Sequence, residues 1–156
     1  MTRKQIDELI TLAKKKSELF EEMYDITKVQ LKSIEDGDMD SLNRILDEKD
    51  SIMKRVDGLN LSFLNIFSSI KEHNHIEDIY QLSVDRYPNL EELKEVVGKV
   101  TAQLEAIAAL DDENHKNMKK SFENTKRELK RLKRGQKAYK GYNISFVDNM
   151  FIDEKK

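Results

Sequence analysis

The chain has 156 residues, 37% of them charged and 38% hydrophobic, with one proline, five glycines, no cysteine and a formal net charge of −2. So much charge leaves each element only a narrow apolar stripe, and the missing cysteines exclude a disulfide framework, a thiol nucleophile and a thiolate metal site. Few turn residues argue against many short strands, and no run of 18 apolar residues is present to form a membrane-crossing helix.

These bounds lead to an all-α expectation: an antiparallel, coiled-coil-like bundle of three long helices in a single domain over residues 1–156. The opening segment MTRKQIDELI is charged every few residues and contains no apolar signal-peptide core. A cytoplasmic location without membrane insertion is therefore expected.

In chain order, Thr2 and Gln5 read as a capping box. Ile6, Ile10, Ala13, Ser17, Phe20, Tyr24, Thr27, Leu31 and Ile34 then recur at alternating spacings of four and three. This predicts a first helix over about 3–35. Gly37, in EDGD, stands where a helix C-cap glycine belongs, and Asp38 or Asp40 can cap the helix that follows. So short a turn makes the first two helices antiparallel neighbours.

The second helix, about 39–72, repeats the rule with Leu42, Ile45, Lys49, Ile52, Val56, Leu59, Phe63, Ile66 and Ile70. Leu61, Leu64 and Phe67 lie outside that stripe, so its second half is apolar on more than one side. Gly58 marks a place where the helix can break, since an interior glycine costs about 1 kcal/mol relative to alanine. The stretch HNHIEDIYQLSVDRYPN, residues 73–89, loses the pattern and reads as the main connection, with at most a short turn around 76–82.

Pro88 suits the first turn of a third helix, or Asn89 and Glu92 can form a capping box. Leu90, Leu93, Val97, Val100, Leu104 and Ile107 follow at heptad spacing. Asp111 and Asn114 then occupy heptad positions, while an eleven-residue step from Ile107 reaches Met118 and a stripe continuing through Phe122, Thr125, Leu129, Leu132, Gln136 and Tyr139. Such a step relaxes left-handed supercoiling. A helix over about 89–138 is overlong for its two partners, so residues from about 118 to 140 are expected to project with their stripe uncovered, followed by a partly irregular tail over 139–156. Exposed apolar stripes rimmed by charge mark binding surfaces or aggregation liabilities.

Several chemistries can be weighed against this pattern. His73 and His75, with Glu77 and Asp78 following, have the spacing of two zinc ligands and a carboxylate, but no third strong ligand is set by spacing and solvent-exposed histidines are the better reading. The pairs Glu21–Glu22 and Asp111–Asp112 diverge by about 100° on a helix and do not converge on one substrate atom. Without a phosphate-binding glycine loop or a nucleophile elbow, no catalytic residue, cofactor or metal is expected, and the chain is not read as an enzyme.

Residues 126–141 hold eight Lys/Arg and one Glu. They could contact phosphates, with nearby tyrosines stacking on bases. Leu129 and Leu132 nevertheless keep helical register through the run and the whole chain is mildly acidic, so no nucleic-acid partner is expected. The stripe itself can seat another protein's amphipathic helix, fold back on the bundle, or pair with a second copy as a homodimer.

Two long helices joined at a Gly-Asp turn (EDGDMDSLNRILDEKDSIM), a third helix with DDENHKNM near its middle, a basic run, a tyrosine and a terminal Phe-x-Asp-x-Lys form a recognisable series. Over essentially its whole length the chain resembles the FlgN-type flagellar export chaperones, with the FliT-type chaperones next closest. The resemblance implies a cytoplasmic, non-enzymatic chaperone that holds the hook–filament junction proteins before export by a terminal helix. It assigns client docking to Met118, Phe122, Thr125, Leu129, Leu132 and Tyr139, with Tyr142 at the end of the surface. The alternatives are a structural coiled-coil or oligomerisation module and a chaperone for the filament-cap protein.

Overall fold

A computed structural model describes the backbone of residues 1–139 and the side chains of residues 1–135. The described chain is all-α: α1 spans Thr2–Asp36, α2 Met39–Asn74 and α3 Leu90–Tyr139, with a single 3-10 turn at Ile79–Gln81 in the connection. Tyr142 and most of the expected irregular tail lie outside the described residues. By its contacts the chain divides into two compact units, Met1–His115 and Lys116–Lys156. The helix continues without interruption through residues 111–115.

Long-range hydrogen bonds define the arrangement within the first unit. Asn74 donates to Thr2 and Gln5 to Ser69, whereas Lys49 meets Gln30, so α1 and α2 are antiparallel. Asn89 donates to the Arg3 carbonyl and Asn114 to the Thr27 carbonyl, so α1 and α3 are parallel. Two apolar clusters fill the space between the helices. Near the start of α1, Ile6, Leu9 and Ile10 meet Ile70, Ile79, Leu90 and Leu93. Farther along, Leu19, Phe20 and Met23 meet Ile52, Val56, Val100 and Ile107. Fully burying an aliphatic or aromatic side chain of this size contributes about 1.5–3 kcal/mol, so these two clusters supply the main stabilisation of the unit. On α2, Phe63 and Phe67 stack at 6.2 Å and pack against the first cluster. Leu61 and Leu64 remain 64% and 59% exposed, so the apolar surplus of that helix is split between core and solvent.

The helix ends show which local signals operate. Gly37 adopts a left-handed conformation with φ 66°, and the Gly37 and Asp38 amides close back on the Ile34 and Ser33 carbonyls. Asp38 then caps α2, accepting from the Ser41 backbone N–H at 3.1 Å and the Ser41 hydroxyl at 2.7 Å. These bonds to Ser41 hold the Asp38 carboxyl below the usual carboxylate range. The stabilisation from the ionised cap is therefore present above the ordinary carboxylate value and is lost as pH falls through the lower folded value. At the other end of α2 the left-handed cap is His75, with φ 54°, which gives one of the two candidate zinc histidines a backbone role.

Two local expectations are corrected. Thr2 and Gln5 make no capping box: the helix begins at Thr2 itself, and both side chains bond to α2 instead. Asn89 and Glu92 do not cap one another either, because Asn89 donates to Arg3 and Asp7 of α1 while Glu92 pairs with Lys14 at 2.7 Å. In both places a partner on a neighbouring helix takes the side chain that a purely local reading gives to the helix end. Gly58 does not break α2, which runs through it as regular helix.

The two turn and helix glycines respond oppositely to alanine. Neither Gly37 nor Gly58 has a neighbour that an added Cβ would strike within 4 Å, so backbone conformation alone decides the sign. Gly37→Ala is expected to destabilise by about 1 kcal/mol through left-handed strain, and Gly58→Ala to stabilise by about 1 kcal/mol through helix propensity. Urea unfolding followed by circular dichroism measures both.

Candidate functional site

Register in the first unit depends on three carboxamides of the third helix segment. The side-chain nitrogens of Asn89, Gln103 and Asn114 donate to the backbone carbonyls of Arg3, Ser17 and Thr27 at 3.0, 3.2 and 3.0 Å. The same Gln103 accepts from the Ser17 hydroxyl at 2.9 Å, and the Thr27 hydroxyl donates to the Met23 carbonyl at 2.6 Å. Of the three donors only that of Asn114 is buried, so a shift between the parallel helices would cost most at that rung.

The last rung changes the reading of the middle of α3. Asn114 is only 3% exposed, so the apolar stripe does not step over it. Beside it, Lys49 of α2 reaches both Gln30 and Asp111 and keeps little exposure of its own side chain. Thr27, Gln30, Lys49, Asp111 and Asn114 thus form a polar layer drawn from all three helices. The signal was present in the sequence as a lysine at a stripe position of the second helix and two polar residues at heptad positions of the third.

The second unit holds the expected client surface. Met118, Phe122, Thr125, Leu129 and Leu132 fall within an arc of about 80° on α3 at about 100° per residue. Met118 and Leu132 are 41% and 57% exposed, Phe122 and Leu129 are half-buried, and Thr125 is exposed with its hydroxyl bonded to the Ser121 carbonyl. Tyr139 is the last described helical residue, and Tyr142 lies beyond the described chain. One flank of this face carries Lys119, Lys126 and Lys133 at seven-residue intervals; the other carries Asn117, Ser121, Asn124 and Glu128. The face is therefore electrostatically asymmetric, with a positive edge and a mostly neutral one.

Elsewhere, a surface groove between α1 and α2 is lined by Lys15, Glu18, Leu19, Arg55, Gly58, Leu59 and Ser62, a mixture of charges around two leucines. Among the described residues no group of three or more His, Cys, Asp or Glu side chains is placed to hold a metal ion. No described helix is long and apolar enough to cross a membrane.

Long amphipathic helices around a shared core, with an apolar face partly open to solvent, define an all-helical bundle protein. The FlgN family model, described as FlgN protein, matches residues 1–144, and the chain belongs to that family. It is accordingly a flagellar export chaperone in its general role. No curated protein and no solved structure matches the chain.

Two members of the polar layer can be compared. Asn114→Ala removes a fully enclosed donor and is expected to destabilise by about 1–3 kcal/mol, and Asp111→Ala, which leaves the little-exposed Lys49 ammonium with Gln30 alone, is expected to cost about 1–3 kcal/mol as well. Chemical unfolding of the two single variants and their combination measures these effects and any coupling through the shared layer.

Proposed function

We propose that the 118–132 face of α3 captures a terminal helix of an export client, and that the clients are the hook–filament junction proteins. The observation that supports this reading most is the open stripe itself: Met118 and Leu132 expose large apolar side chains at opposite ends of a face that also contains Phe122 and Leu129. An amphipathic client helix presents anchors at i, i+4 and i+7, the spacing of Met118, Phe122 and Thr125 and again of Thr125, Leu129 and Leu132. Family resemblance adds Tyr139 and Tyr142 to the proposed docking residues.

Burying about 600 Å² of apolar area in such a complex corresponds to about 15 kcal/mol at about 25 cal/mol per Å². Ordering the client and losing its free translation offset most of it, leaving micromolar or tighter affinity. Capture hides the assembly helix of the client in the cytoplasm and leaves the remainder unfolded for export. The lysine edge favours a client helix with acidic residues along one side and raises its association rate.

The test is calorimetric titration with peptides carrying the terminal helices of the junction proteins. Leu129→Asp combined with Leu132→Asp is expected to weaken binding at least a hundredfold while the thermal transition of residues 1–115 stays in place. Raising salt from about 0.1 to 0.5 M is expected to weaken binding to the native chain several-fold, because exposed charges are screened beyond a few ångströms at the higher concentration. Unchanged affinity in the double variant contradicts the reading. A constitutive dimer, seen as a concentration-independent doubled mass that buries this face, instead favours the oligomerisation module.

A further inference from the structure

The chain carries its own candidate occupant for this face. Residues 144–154, ISFVDNMFIDE, lie outside the described structure and contain Ile144, Phe146, Val147, Met150, Phe151 and Ile152, three acidic residues and no basic one. Residues 116–135, by contrast, carry nine Lys/Arg against two Glu. We infer that in the client-free protein residues 144–154 dock on the α3 face at Phe122, Leu129 and Leu132, covering it until a client helix displaces them.

Reach permits this even in the most compact form of the segment. Residues 140–143 span up to about 13 Å when extended, and eleven helical residues add about 16 Å. Together these cover about 29 Å, whereas the helix from Tyr139 back to Phe122 is about 26 Å long at about 1.5 Å per residue. Gly141 allows the chain to reverse within that link.

Charge gives the docking a direction. Asp148, Asp153 and Glu154 are matched by the edge of Lys119, Lys126 and Lys133, whereas the opposite edge offers only Glu128 and neutral polar groups. Tethering favours this segment over the same segment of a second copy. A link of four residues holds it at an effective concentration of about millimolar, well above the concentration at which separate chains meet.

The consequence for clients rests on the capture reading above. If the segment covers the face about nine-tenths of the time, apparent client affinity falls about tenfold, because only the uncovered fraction is competent to bind. The segment then discriminates against weak, partly matched helices without contacting them.

The chain contains no cysteine, so Asn149→Cys provides a single spin-label site in the full-length protein. Methyl signals of Met118 and Leu129 report its proximity. Broadening at least threefold stronger than in a chain that also carries Phe146→Asp and Phe151→Asp, and unchanged on tenfold dilution, is the expected result. The double variant keeps the tether, so equal broadening in the two chains overturns the docking. Broadening seen only when a spin-labelled chain is mixed with an isotope-labelled one also overturns it, in favour of a second copy. In calorimetry with the junction-protein peptides, the double variant is expected to bind about tenfold more tightly than the native chain. Equal affinity overturns the competition, and binding to neither chain overturns the capture reading while the intrachain broadening stands.

Discussion

The hydrogen bonds from Asn89, Gln103 and Asn114 to carbonyls of the first helix hold the first unit in one register. They join residues 86, 86 and 87 positions apart, so the two parallel helices advance nearly in step over the whole contact. Apolar burial drives association but specifies register weakly here, since every helix repeats much the same stripe of isoleucine and leucine. The buried carboxamide of Asn114, held to the Thr27 carbonyl, adds a directional contact to that burial, whereas Asn89, with two acceptors, and Gln103 make theirs at exposed and half-buried positions. The polar layer of Thr27, Gln30, Lys49, Asp111 and Asn114 adds the second helix to this arrangement. It closes the first unit beside His115, the last residue of that unit.

That division explains how one continuous helix serves two purposes. Along Leu90 to Asn114 most of its stripe, Leu90, Leu93, Val100 and Ile107, is buried in the core while Leu104 stays 43% exposed, and Asp111 and Asn114, which interrupt the stripe, pair with Lys49 and the Thr27 carbonyl. Along Met118 to Leu132 the same periodicity continues, but its large side chains remain partly open to water and one flank becomes a row of lysines. A chain that is 38% hydrophobic has little apolar surface to leave in solvent without a use. The use proposed for it, in a chain of a flagellar export chaperone family, is to hold a protein client.

Much of the fold could be read directly from the residues. The alternating four and three spacing located all three helices, and Gly37 with Asp38 located the turn between the first two. Local capping boxes at Thr2 and Asn89 do not form because a helix end in a bundle lies beside another helix, and long-range partners such as Asn74, Ser69 and Asp7 outcompete the local ones. His75 as a left-handed cap had no glycine to announce it. The polar layer was visible only as interruptions, since Lys49, Asp111 and Asn114 reveal their common role once three separate helices are brought together. For the client face, periodicity placed Met118 to Leu132 on one side of the helix, but the asymmetry of its edges emerged only when Lys119, Lys126 and Lys133 were set against Asn117, Ser121, Asn124 and Glu128.

The central claim is that the two units divide the labour, residues 1–115 providing a fixed scaffold and the face at 118–132 taking the client. Amide hydrogen exchange on the full-length protein, with and without a saturating junction-protein terminal-helix peptide, tests this most directly. Slow exchange through the interior of residues 1–115 that does not change on binding, with new protection confined to about 116–139, is the result expected. New protection in the groove between the first two helices, or spread evenly over the chain, would contradict it.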